Sequence, residues 1–170
     1  IGHSLGGAAV LAAAHRLPNV AAIATIGAPA DPAHVAKLFA PAQSEIETTG
    51  SAEVELAGRR FTIRKEFLDD LAAHCAPSRI AALGRPLIVF HAPRDQIVGI
   101  ENAAKIFQAA KHPKTFVSLD DADHLLTRAA DGEYVANVLA AWASRYLPPV
   151  APGTVAYTQL TLPTTSTRCH

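Results

Sequence analysis

Gly2-His3-Ser4-Leu5-Gly6 sets a serine between two glycines at the spacing G-x-S-x-G. That spacing suits a serine on a sharp turn from a strand end into a helix start, with a strained backbone that lifts the hydroxyl clear of the chain. Strand and helix nearly touch there, so Gly2 and Gly6 are read as the positions that remove two colliding side chains. A hydroxyl presented in this way becomes a nucleophile when an imidazole takes its proton and a carboxylate orients the imidazole, in the chain order serine, acid, histidine. The helix begins with unpaired amides and a positive dipole end, which makes the Leu5 amide a natural donor to an oxyanion. Two glycines and a serine meet this spacing by chance in about 5% of chains of this length, so context has to decide. Ile1 can end a strand, and Ala8 to His15 is a helix-prone, almost wholly apolar run.

The elements that would position such residues follow in order. Val20 to Ile26 is a short apolar run without alternation, as expected of a parallel strand covered on both faces, and Gly27-Ala28-Pro29 ends it. Leu87 to Phe90 and Thr115 to Leu119 read as two further strands. Between them Ile100, Ala103, Ala104 and Phe107 fall on one helical face. Val135, Val138, Leu139, Trp142 and Tyr146 trace another helical stripe, stopped by Pro148-Pro149. This alternation predicts the α/β class, an open and mostly parallel sheet covered by helices. Its ligands belong outside the carboxyl ends of the strands. The stretch 31–83 breaks the pattern, because connections usually run to roughly two to six residues, and it is read as an inserted subdomain. Within it Glu53 to Ala57 and Arg60 to Arg64 suggest a hairpin around Gly58-Arg59. That register pairs Leu56 with Phe61, Val54 with Ile63 and Glu53 with Arg64. Phe67, Leu68, Leu71, Ala72 and Cys75 then line a helix that Pro77 is expected to close.

The chain has 170 residues, half of them apolar, with 15 basic and 15 acidic side chains. That suits one globular domain and, with no basic run, argues against a nucleic-acid partner. No apolar run reaches the roughly 18 residues needed to span a bilayer. Two cysteines, Cys75 and Cys169, make neither a disulfide framework nor a metal-ligand spacing, in keeping with a cytoplasmic setting. The cluster Asp120, Asp121, Asp123 and His124 lacks the regular spacing of a calcium loop and is read as solvated turn residues rather than a metal site.

The opening stretch resembles the alpha/beta-hydrolase family, whose lipases and esterases often carry Gly-His-Ser-Leu-Gly-Gly at the nucleophile elbow. His91-Ala92-Pro93-Arg94-Asp95-Gln96-Ile97-Val98 resembles the family's histidine-glycine-x-x-aspartate-x-x-valine loop, with Ala92 in place of the usual glycine. The resemblance implies that Ser4 is the nucleophile, Asp95 the acid, His124 the base and the Leu5 amide an oxyanion donor. Asp31 is the rival acid, because some members place it after the preceding strand. His3 and His91 are read as shaping the elbow and the acid loop, while His15, His34, His74 and His112 carry no placement signal. The implied reaction is cleavage of a carboxylic ester or related acyl bond in a small molecule, without metal or cofactor. A non-catalytic binding module on the same fold, or an acyltransferase using the same triad, are the alternatives.

The same resemblance identifies 1–150 as the later part of a hydrolase domain and 31–83 as a cap insertion, while 151–170, rich in threonine and without periodicity, is read as a disordered or non-native tail. The chain is similar to bacterial hydrolases that continue into an OsmC-like domain. The resemblance also implies that the first strands, and a loop giving a second oxyanion amide, precede Ile1. One such donor is worth about 3–4 kcal/mol of barrier, so residues 1–170 alone are expected to be nearly inactive.

Overall fold

The structure is a computed structural model and describes residues 1–31, 37–56, 59–73 and 77–148. Its centre is a four-stranded sheet, all parallel, in the order β1-β2-β5-β6. These strands are β1 (Gly2–His3), β2 (Ile23–Ile26), β5 (Leu87–His91) and β6 (Lys114–Ser118). Helices α1 (Leu5–Ala13), α5 (Glu101–Ala109) and α6 (Ala129–Ala143) follow β1, β5 and β6. This is the α/β architecture expected from the alternation.

Successive side chains of a strand point to opposite faces, and here both faces are buried. Ile23, Leu87 and Val89 pack with Leu11 and Ala14 near α1 and with Ala103 and Ile106 of α5. Ala24, Ile88 and Phe90 face the other way, onto Val135, Val138 and Trp142 of α6. Trp142 also donates its indole N–H to the Thr115 hydroxyl at 3.2 Å, pinning α6 to β6. The predicted strands are found at shifted ends: β2 begins at Ile23 rather than Val20, because Val20 sits in the turn after Leu17.

The inserted segment holds a 3-10 stretch (Lys37–Ala42) and α2 (Gln43–Thr49). After these come the hairpin strands β3 (Ser51–Leu56) and β4 (Arg59–Arg64), then α3 (Lys65–Ala73) and α4 (Pro77–Ala81). The hairpin exists, but its register differs from the sequence reading by two residues. Val54 lies opposite Phe61, Glu55 opposite Arg60 and Glu53 opposite Thr62, so neither Leu56–Phe61 nor Glu53–Arg64 is a pair. A slip of two leaves every side chain on the same face, so the alternation of apolar and polar residues could not have chosen between the two registers. Leu56 pairs with Arg59, which leaves 57–58 between the strands rather than Gly58-Arg59. The expected closing of the preceding helix at Pro77 falls on 74–76, outside the described residues; Pro77 itself opens α4, where a proline's missing N–H costs nothing. Helix α2 was not read from the sequence; its single deep anchor, Ile46, is fully buried and too short a signal for periodicity.

His34, Gly58, His74, Cys75 and the tail 151–170 lie outside the described residues. Among the described residues no helix is long and apolar enough to cross a membrane.

Candidate active site

The parallel pairing brings four strand ends to one rim. His3 pairs with Ile26, Ile26 with Phe90, and His91 with Ser118. Ser4, Gly27, Asp95 and His124 all follow those ends, so four loops meet at the carboxyl edge of the sheet, where open α/β sheets bind ligands.

Ser4 occupies the turn between β1 and α1 with φ 52° and ψ −125°, a backbone conformation that L-residues adopt only under strain. Its amide donates to the Ile26 carbonyl at 2.8 Å, and its carbonyl accepts from the Gly7 amide at 2.9 Å. The turn is possible because of glycines, though not the two expected. A Cβ on Gly2 would stand 2.2 Å from the Gly6 carbonyl oxygen, and one on Gly7 would stand 2.4 Å from the Ala28 Cβ. A Cβ on Gly6 would meet nothing within 4 Å among the described residues. The strand–helix contact therefore needs Gly2 and Gly7, because Gly6 turns away from the strand.

Serine is a favoured N-cap residue because its hydroxyl usually accepts from an amide of the first turn. The Ser4 hydroxyl makes no such bond. It lies instead 2.9 Å from Nε2 of His124. Leu5 takes the first helical position, where an amide has no intrahelical acceptor, and the first turn of α1 carries no acidic residue to offset its dipole. The positive end of the helix, with the Leu5 amide, therefore begins at the residue after the nucleophile.

On its other side the His124 ring places Nδ1 2.7 Å from Oδ2 of Asp95. A carboxylate only accepts, so Nδ1 carries the hydrogen and Nε2 presents its lone pair to the Ser4 hydroxyl. The second Asp95 oxygen accepts from the amides of Ile97 at 2.8 Å and Val98 at 2.9 Å, which locks the carboxylate within its own loop. The Asp95 side chain is 1% exposed and that of His124 7%, so the pair is shielded from competing water.

The remaining residues singled out from the sequence fall as follows. Asp31 is exposed beyond β2, and the carboxylate on the imidazole is that of Asp95. His91 is fully buried and its Nε2–H donates to the Val98 carbonyl at 2.7 Å, bracing the loop that holds Asp95. Asp120 accepts from the Ser118 hydroxyl at 3.0 Å. Asp123 accepts from the Thr127 hydroxyl and amide, which hold its carboxyl below the ordinary range. Among the described residues no group of three or more His, Cys, Asp or Glu side chains could hold a metal ion.

Two contributors were missed in the sequence. Gly27, read only as a strand terminator, has φ 54° and lies under the pair: a Cβ there would stand 3.3 Å from His124 Nδ1 and 3.4 Å from Asp95 Oδ2. Its place immediately after a central strand was the available signal. Asn102, buried in α5, accepts from the Ala30 amide at 3.1 Å and donates to the Gly99 carbonyl at 3.0 Å, tying the loop after β2 to the start of α5. A lone polar residue on a helical face gave no warning of that.

Comparison with solved structures matches this geometry to known folds. The esterase domain of a Rhodothermus marinus protein is 58% identical, with a TM-score of 0.76, over 85% of this chain and 60% of that one. Mouse alpha/beta hydrolase domain-containing protein 10 is 23% identical, with a TM-score of 0.63, over 85% of this chain and 60% of that one. A monoacylglycerol lipase from Paleococcus ferrophilus is 16% identical, with a TM-score of 0.66, over 86% of this chain and 67% of that one. No family model and no curated protein matches the sequence. The chain belongs to the alpha/beta-hydrolase family, and it spans 60% of the length of the first two of these structures.

Proposed function

We propose that this chain carries the nucleophile, acid and base of a serine hydrolase that cleaves a carboxylic ester or a closely related acyl bond. One observation carries the reading: the unbroken chain of hydrogen bonds from Ser4 Oγ to His124 Nε2 at 2.9 Å and from His124 Nδ1 to Asp95 Oδ2 at 2.7 Å. The ester is preferred because the 58%-identical neighbour is an esterase domain.

In this reading His124 removes the Ser4 proton as Oγ attacks the acyl carbon. Asp95 holds the imidazole tautomer and stabilises the imidazolium that forms. The Leu5 amide donates to the developing oxyanion, and the alcohol leaves with the proton returned by His124. Water, deprotonated by the same imidazole, then attacks the acyl-enzyme and releases the acid and free Ser4. The inserted segment 31–83 acts as a cap over the site. Leu5, next to the nucleophile, shares one apolar cluster with Val54, Ile63, Phe67 and Leu68 of that segment, which supports an apolar acyl-binding wall.

The test is labelling of Ser4 by a fluorophosphonate in the intact protein. Labelling should be absent in Ser4→Ala and slowed by roughly 10⁴-fold or more in His124→Ala. Labelling of any residue other than Ser4, or a native rate in His124→Ala, would remove the reading. Turnover in added alcohol distinguishes hydrolysis from acyl transfer by the product formed.

A further inference from the structure

Outside the loop between β6 and α6, the imidazole of His124 has few restraints. Hydrogen bonds along 120–127 are otherwise local, from Asp120 to Ser118, Ala122 to Leu119, Leu126 to Asp123 and Thr127 to Asp123. Among the described residues, the Leu119 amide donates to the His91 carbonyl at 3.0 Å where the loop leaves β6, and from there on bonds to earlier strand ends are made at His124: to Asp95, to Ser4 and, through its main-chain carbonyl, to His3. The loop is also bent at two non-glycine residues with positive φ, Asp120 at 45° and Leu126 at 52°, so its path is not set by a regular element. Two of the three anchors, Asp95 and Ser4, are the partners whose bonds to the imidazole change as protons move. The third does not change.

We propose that His3 is a positioning residue for the reaction read above: its Nε2–H holds the main-chain carbonyl of His124 at 2.6 Å and so keeps the imidazole in line with the Ser4 hydroxyl. A carbonyl oxygen only accepts, which assigns the hydrogen to Nε2 of His3. The two rings are 5.0 Å apart and tilted by 42°, so the His3 ring also flanks the His124 ring that becomes charged during acyl transfer. His3 lies on β1 immediately before Ser4, and the same two residues of chain therefore carry both the nucleophile and the clamp on its base. A displacement of the order of 1 Å in such a base can cost about 100-fold in rate, which sets the scale of the effect.

The inference rests on His124 being the base, and the experiment separates the two. Steady-state hydrolysis of a p-nitrophenyl ester by the intact protein is compared for His3→Phe and His3→Gln, alongside His124→Ala. Phenylalanine keeps a ring of similar size and has no N–H; glutamine carries an amide N–H close to the position of Nε2. His3→Phe is expected to lower kcat about 10- to 100-fold with KM within about twofold, and His3→Gln to recover to within about threefold of the parent. A purely structural role predicts instead that both variants lose thermal stability together and that the donor makes no difference. His3→Ala takes the place of His3→Phe if the latter does not fold. A native kcat in the donor-less variant, or a folded His3→Gln as slow as that variant, overturns the proposal while an inactive His124→Ala leaves the base in place. An active His124→Ala overturns both.

Discussion

Along β2 and β5 all but one side chain is buried, whereas in the hairpin β3–β4 the only buried one among the described side chains is Ala52. Both regions were read as strands from the sequence, and both are strands. Partners were read for the hairpin alone, and its register differs by two residues. In the sheet, each residue is held by helices on two sides, so displacing a strand by one or two residues would drive Ile88 or Phe90 out of a filled core. In the hairpin one face is largely exposed, and a slip of two residues changes charge partners and little else. Burial on both faces therefore makes the rim of the sheet a rigid platform for Ser4, Asp95 and His124, while the insertion is the part in which small sequence changes shift pairing.

Three experiments sharpen this contrast. The largest effect is expected at the platform's chemistry. Asp95→Asn keeps the acceptor for the Ile97 and Val98 amides but can turn an NH₂ toward His124, favouring the wrong tautomer. Ester turnover in the intact protein should fall about 10⁴-fold with the fold retained, as measured by kcat against melting temperature. Next comes the platform's geometry. Gly2→Ala forces a Cβ to within 2.2 Å of main-chain oxygen and should destabilise by about 3 kcal/mol in denaturant titration. Gly6→Ala is the control: with no neighbour within 4 Å it should be neutral, or stabilising by up to about 1 kcal/mol as a helical alanine. Equal damage at both glycines would contradict the strand–helix contact described here. The smallest effect belongs to the hairpin. A double-mutant cycle on Glu55 and Arg60, which face each other, should give a coupling of a few tenths of a kcal/mol, and one on Glu53 and Arg64 should give about none. The reverse result would restore the other register and show that the contrast between the two regions has been drawn too sharply.

Much of the sheet was legible because continuous apolar runs flanked by glycine and proline have few other uses in a chain of this size. The loops after Phe90 and Leu119 could be located because strand ends on a parallel sheet must gather at one rim. Gly6 misled because the sequence shows that glycine is present, not which way an added Cβ would point. Gly27 was passed over for the same reason: its closeness to Asp95 and His124 depends on β2 lying between β1 and β5. Helix α2 was invisible because one buried isoleucine makes no period.

By itself the sequence determined the class of fold and the neighbourhood of the site, since both follow from local patterns: apolar runs of strand length, a serine between glycines, an aspartate and a histidine just past two strand ends. Tertiary structure alone decided which polar groups touch. It set the 2.9 and 2.7 Å bonds through His124, the clamp of His3 on the His124 carbonyl and the pairing of the hairpin. The reason is one of range. Periodicity and turn chemistry act over a few residues, whereas a hydrogen bond across 120 positions of chain exists only once the sheet has closed the distance.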